Sequence, residues 1–282
     1  MSSQKTNNED HSSDKSSDFR FFKNSSLQGL VSPKLSAQAL ESLQGPDVLL
    51  EESELEKDSR STTAGAIELD GHTYFLKRYN NKDFKRTLKN SVRQTRPFKV
   101  LKTAQALKDV GIFTPEVYAA LNYRRGLLLK SSYLLSAFLD SAKTANQVFE
   151  KLVGKENLEI FLNKSGEILV KIHDAGIMHG DIKISNIIVK PNADKSYDLG
   201  LLDLDSTHCY NEALPEKRRS RDLARLISSY FLSCKHRDLE TTTLDVLIES
   251  FAAKYCDISG IDLRGDRLTQ RTEYLSSRVR KK

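Results

Sequence analysis

His179-Gly180-Asp181-Ile182-Lys183-Ile184-Ser185-Asn186 is the stretch on which the reading of this 282-residue chain turns. It sets a carboxylate, an ammonium and a carboxamide at positions 181, 183 and 186, directly ahead of two apolar runs, Ile187 to Lys190 and Tyr197 to Leu204. Pro191-Asn192-Ala193-Asp194 separates the runs, so they read as a β-hairpin. The second run contains Leu201-Leu202-Asp203-Leu204-Asp205. A hairpin brings its outer ends together, which sets Asn186 beside Asp203 despite their distance in sequence. Two oxygen donors so placed suit a hard cation such as Mg²⁺. The plain competitor is a pair of polar residues at a strand end.

Upstream of the stretch, Leu158, Phe161, Leu162, Ile168, Leu169 and Ile172 line one face of a helix that ends near Gly176. Earlier still the pattern is that of strands. Ile67 to Leu69 and His72 to Lys77 flank an Asp70-Gly71 turn, and further strands are expected at Glu116 to Ala120, Gly126 to Lys130 and Ser132 to Phe138. Between them, Phe84, Leu88 and Val92 form an apolar stripe on a basic helix, and Phe98, Leu101, Ala104 and Leu107 start a second helix that Gly111 ends. Residues 1–46, rich in Ser, Asn, Gln, Lys and Asp, read as a disordered tail.

Hydrophobic residues make up 38% of the chain, enough for a real core. Cys209, Cys234 and Cys256 are odd in number and widely spaced, which suggests neither a disulfide framework nor a zinc site. No basic cluster followed by an apolar run marks an export signal, and no stretch approaches the ~18 apolar residues of a membrane span. A cytoplasmic protein is expected. The net charge of +6 favours acidic partners.

The 179–186 stretch matches the catalytic loop of protein kinases, in which the Asp orients or deprotonates the acceptor hydroxyl and the Asn holds a metal ion. Asp203 then stands where that fold supplies its second metal ligand. With Tyr74-Phe75-Leu76-Lys77-Arg78-Tyr79, the Gly111-Ile112-Phe113-Thr114-Pro115 turn and Asp203-Leu204-Asp205, the whole resembles the lipopolysaccharide kinases, which phosphorylate Kdo or heptose sugars of the inner core. The likeness covers Ile67 to Phe231. It implies an α+β, two-lobed, protein-kinase-like fold: a small, mostly β N-lobe over 47–140 and a mainly α C-lobe over 141–282.

By the same resemblance, ATP and Mg²⁺ are the cofactors. Lys77 binds the α- and β-phosphates, Asp181 is the base, Lys183 neutralises charge on the γ-phosphate, and Asn186 and Asp203 hold the metal. His179 would brace the loop, and Asp205 would be a secondary ligand or, by preference, a second brace. The acceptor is a glycolipid of the lipid A-core type. The eleven Lys and Arg residues from Lys77 to Lys108, against the single acid Asp83, would give peripheral contact with an anionic inner membrane. Nucleic acid is not expected, because no interleaved aromatic platform accompanies these charges.

The pattern departs from protein kinases in four places. No carboxylate lies between Asp83 and Asp109 to pair with Lys77, and the phosphate-covering loop, read at Thr62-Thr63-Ala64-Gly65-Ala66, holds one glycine. Gly180 replaces the arginine that receives an activation-loop phosphate. The segment from Ser206 to Arg221 is short and lacks Ala-Pro-Glu, leaving little platform for a peptide. Two other readings stay open: an atypical, RIO-like protein Ser/Thr kinase and a pseudokinase interaction module.

Overall fold

The computed structural model describes residues 19–80, 94–140, 142–152, 155–193, 196–239 and 243–278. The described residues form two compact units, one within residues 1–93 and 117–136, the other within residues 94–116 and 137–282.

The first unit is built on a seven-stranded sheet. Its strands are β1 (Arg20–Lys23), β2 (Leu27–Val31), β3 (Leu55–Asp58), β4 (Thr62–Leu69), β5 (His72–Asn80), β6 (Val117–Arg125) and β7 (Leu128–Ala137), in the order β1-β2-β6-β7-β5-β4-β3. Asp70 (φ 50°) and Gly71 (φ 71°) make the tight turn between β4 and β5, the left-handed pair that a two-residue hairpin requires. Residues 62–66, expected as a loop, lie inside β4. The turn ahead of them is Ser59 to Ser61, closed by the Ser59 N–H and the Ser59 hydroxyl, which donate to the Thr62 carbonyl at 2.8 and 2.9 Å.

Residues 19–46 are not a tail. The β1–β2 hairpin adds to the β6 edge, with Leu27 opposite Tyr123 and Val31 opposite Ala119. Helices α1 (Ala37–Ser42), N-capped by the Ser36 hydroxyl, and α2 (Pro46–Glu51) follow. Leu27, Val31, Leu35, Ala39 and Leu43 enter one buried cluster with Ile67, Leu76, Leu121 and Tyr133. At Gly29 a Cβ would fall 2.1 Å from the Ala120 carbonyl oxygen, so a side chain there would push the hairpin off the sheet. Val31→Ala is accordingly expected to cost about 1.5–3 kcal/mol by denaturant titration. A tail residue would cost nothing measurable.

The second unit holds α3 (Arg96–Asp109), which had been expected in the N-lobe. It belongs here because its loop is tied to the hairpin: the Leu201 N–H donates to the Phe113 carbonyl at 2.8 Å, and Phe113 bridges Gly200 in parallel. β8 (Lys143–Thr144), α4 (Phe149–Leu152) and α5 (Lys155–Asp174) come next, then β9 (Ile177–Met178). The hairpin is β10 (Ile187–Pro191) against β11 (Tyr197–Leu201), paired Ile187 to Leu201, with β8 along the other side of β10. β12 (His208–Cys209) pairs with β9. Helices α6 (Glu216–Lys235), α7 (Leu244–Ser259) and α8 (Asp266–Arg278) complete the unit. Phe149, Phe161 and Phe251 pack around Tyr230 with ring centroids 5.2–6.0 Å away. The architecture is thus an antiparallel-sheet region followed by a helical one, as the sequence indicated.

Among the described residues no helix is long and apolar enough to cross a membrane. The basic helix with Phe84, Leu88, Val92, Lys85, Arg86, Lys89 and Arg93 lies outside the described residues.

Candidate active site

Two pairs of elements clamp the 179–186 loop at its ends. β9 enters it and is paired with β12, while β10 leaves it and is paired with β11. Gly180 sits at φ 78°, and a Cβ there would lie 2.6 Å from the Ser206 carbonyl oxygen. Glycine is required at this position on both counts. The arginine of regulated kinases could not occupy it without moving the loop.

His179 is buried. Its Nε2 donates to the Leu202 carbonyl at 3.0 Å, and its Nδ1 accepts from the Asp181 N–H at 3.4 Å. Those partners assign the neutral Nε2–H tautomer. Burial agrees with that state, since it lowers the His179 pKa. The bracing role expected of His179 therefore has a geometry.

Asn186 donates its Nδ2 to the Asp181 carbonyl at 2.9 Å and accepts from the Leu202 N–H on its own carbonyl at 2.8 Å. With the amide nitrogen committed, Oδ1 is the atom left to face a cation. Asp203 follows Leu202 directly in a left-handed conformation (φ 52°, ψ 63°). Non-glycine residues seldom adopt it, and such positions cluster at functional sites. Asp181 is 37% exposed; Lys183 Nζ donates to its Oδ2 at 3.1 Å, and an Arg225 guanidinium nitrogen lies 3.6 Å from Oδ1. The structure thus gathers Asp181, Lys183 and Asn186 at the hairpin mouth, with Asp203 two residues beyond the last paired residue, Leu201. Lys77 lies in the first unit, half-buried on β5, its ammonium 5.2 Å from the centre of the Tyr79 ring.

Sequence reasoning missed the group that fixes the loop. Asp222 on α6, with 0% exposure, accepts from the His179 N–H at 2.7 Å and the Gly180 N–H at 2.9 Å. Behind it stands His173, whose Nε2 is 3.5 Å from Asp222 Oδ2 and whose Nδ1 meets the Tyr255 hydroxyl at 2.9 Å. Arg219 donates to that hydroxyl at 2.9 Å and to the Leu214 carbonyl at 2.6 Å, and pairs with Asp174 at 2.8 Å. Burial pushes the Tyr255 hydroxyl up to about 12, so it keeps its proton. Burial also pushes the Asp222 carboxyl up, but the histidine contact and the two backbone N–H groups outweigh it and hold it below the ordinary carboxylate range. A sequence signal existed: Arg219, Asp222, Leu223 and Leu226 share one helical face, so an acid stands on an apolar stripe.

Burial lowers the His173 pKa as well as that of His179. A histidine that is harder to protonate when folded contributes stability above its unfolded pKa of about 6.5, and that contribution is lost as pH falls below it. The thermal midpoint is therefore expected to fall as pH is lowered below ~6.5, and His173→Gln is expected to flatten that fall. Calorimetric scans across pH 7.5 to 5 check both.

The model of the lipopolysaccharide kinase (Kdo/WaaP) family matches residues 40–254 of the chain. A KEOPS complex subunit Bud32 of Pyrococcus abyssi is 27% identical over 116 residues, 41% of this chain and 49% of that protein. A 3-deoxy-D-manno-octulosonic acid kinase of Vibrio vulnificus is 29% identical over 119 residues, 42% of this chain and 46% of that one. The chain thus spans about half the length of these curated relatives. Among solved structures, WaaP in complex with acyl carrier protein superposes with a TM-score of 0.53 at 16% identity, covering 83% of this chain and 92% of that one. That likeness is one of fold.

Proposed function

Since the chain belongs to the lipopolysaccharide kinase (Kdo/WaaP) family, we propose that it transfers the γ-phosphoryl group of ATP to a hydroxyl of an inner-core sugar, and that the sugar is Kdo. The observation that carries the reading is the Asp181 carboxylate, exposed at the loop tip with Lys183 beside it and its backbone carbonyl held by Asn186. The likeness to the octulosonic acid kinase supports the choice of sugar.

In this reading Asp181 accepts the proton of the acceptor hydroxyl as the oxygen attacks. An O–P bond forms to the γ-phosphorus, the bond to the β,γ-bridging oxygen breaks, and ADP leaves with that electron pair. Lys183 steadies the charge on the transferred group, and Lys77 holds the α- and β-phosphates. Asn186 Oδ1 and the Asp203 carboxylate would hold Mg²⁺. They fit it as hard oxygen donors, and a site of one or two protein oxygens completed by substrate phosphates is the usual one for this ion. Bound magnesium supplies charge neutralisation at the phosphate oxygens.

A protein acceptor is favoured less. Residues 204–215 are the whole span between Asp203 and α6, and part of it is taken up by β12 pairing with β9, which leaves no platform for an extended peptide. The basic stretch 77–108 would hold the enzyme at an anionic membrane on the ATP-bearing, cytoplasmic side; co-sedimentation with anionic vesicles at low salt checks this. The acceptor class is tested by offering ATP and Mg²⁺ with a Kdo-bearing lipid A precursor, a heptose-bearing one, and a generic basic protein. Phosphate is expected on the Kdo lipid first. Preferential labelling of the protein would overturn the sugar-kinase reading.

A further inference from the structure

We infer that Arg225 selects the acceptor by receiving its carboxylate, so that this centre is built for an acidic sugar and discriminates against a neutral one. The inference rests on the sugar-kinase reading above.

Asp222 and Arg225 are three residues apart on α6 and so lie on one face. Asp222 is locked to the loop by two backbone hydrogen bonds, and the same face therefore delivers Arg225 to Asp181. There its guanidinium stops 3.6 Å from Oδ1, beyond hydrogen-bond length, and stays 32% exposed. Arg219, on the same helix, is the contrast: it is 3% exposed, with its donors spent on Leu214, Tyr255 and Asp174. Among the described residues Asp181 is Arg225's one charged partner, and Lys183 already neutralises that carboxylate at closer range.

Held 3.6 Å off the Asp181 carboxylate and partly open to solvent, the guanidinium is placed to take a second anion beside the loop tip. A guanidinium offers a planar fork that matches a carboxylate bidentately. On an acidic sugar, one ring can present a hydroxyl to Asp181 and its carboxylate to the neighbouring Arg225. A neutral sugar leaves the fork unfilled.

The test measures kcat and KM for the wild type, Arg225→Gln and Arg225→Lys on two acceptors, the Kdo-bearing lipid and the same lipid with its carboxylate methyl-esterified. A charged hydrogen-bonded pair is commonly worth on the order of 10²-fold. The wild type is expected to prefer the free acid by about that factor in kcat/KM, carried by KM. Arg225→Gln should bring the acid down to the level of the ester, and Arg225→Lys should recover part of the difference. Undiminished preference for the acid in Arg225→Gln overturns the inference. So does an equal fall in kcat on both acceptors, which would make Arg225 only a neighbour that tunes Asp181. Transfer to neither lipid by the wild type would instead bring down the sugar-kinase reading, and this inference with it. Thermal midpoints of both variants guard against misfolding, and the lysine variant decides the matter if the glutamine variant does not fold.

Discussion

Asp181→Asn is expected to lower the transfer rate by about 10²–10⁴-fold while leaving the fold and nucleotide binding in place. A positioned carboxylate that takes the acceptor proton contributes on that scale, and a carboxamide of the same shape cannot take it. The fold should survive because the side chain is 37% exposed and its partners are the ammonium of Lys183 and the guanidinium of Arg225. The contact that organises the loop is made by the Asp181 backbone carbonyl with Asn186, and the substitution leaves it intact. Steady-state kinetics with nucleotide titration by calorimetry checks the pair of outcomes. Near-normal transfer would remove Asp181 from the chemistry.

Asp222→Ala should have the largest effect on stability, about 3–5 kcal/mol, the usual cost of breaking a buried charged network by deleting one partner. Two loop N–H groups, those of His179 and Gly180, lose their acceptor in a site with no exposure, and each unsatisfied buried donor adds its desolvation penalty. The thermal midpoint should fall by on the order of 10 °C. Asp222→Asn, which keeps one acceptor oxygen, should fall between. Because the Asp222 carboxyl sits below its ordinary range when folded, its contribution is fully present above the unfolded carboxylate pKa of about 4 and is lost as pH falls below it. The alanine variant should therefore approach the wild type at strongly acid pH. A stability loss under 0.5 kcal/mol at neutral pH by denaturant titration would deny the brace.

What the sequence disclosed is what lies close together along it. The loop and the hairpin fall within a few tens of residues, and each carries its own signal: alternating apolar runs, a Pro-Asn turn, and polar groups at short spacing. The Asp70-Gly71 turn was legible for the same reason. The failures at residues 19–46, at α3 and at Asp222 involve partners distant in sequence. Leu27, Val31, Leu35, Ala39 and Leu43 are spread among Ser and Gln too thinly to mark a core, and they become one only because β2 adds to β6, some ninety residues on. Helix α3 follows the N-lobe strands in sequence, yet Phe113 ties its loop to Gly200 and Leu201. Asp222 meets His179 across 43 residues, and no local pattern names the backbone N–H groups that an acid on an apolar face will accept from. Asn186 was legible as a residue type, whereas the atom it leaves uncommitted, Oδ1, follows only from the hydrogen bond that commits its amide nitrogen.

The most direct measurement of the central claim is mass analysis of a Kdo-bearing lipid A precursor after incubation with ATP, Mg²⁺ and either the wild type or Asp181→Asn. One added phosphate on the sugar is expected with the wild type, none when Mg²⁺ is chelated, and a trace at most with the variant. An unmodified lipid under conditions where the wild type still turns ATP over, or equal phosphorylation by both proteins, would contradict that claim.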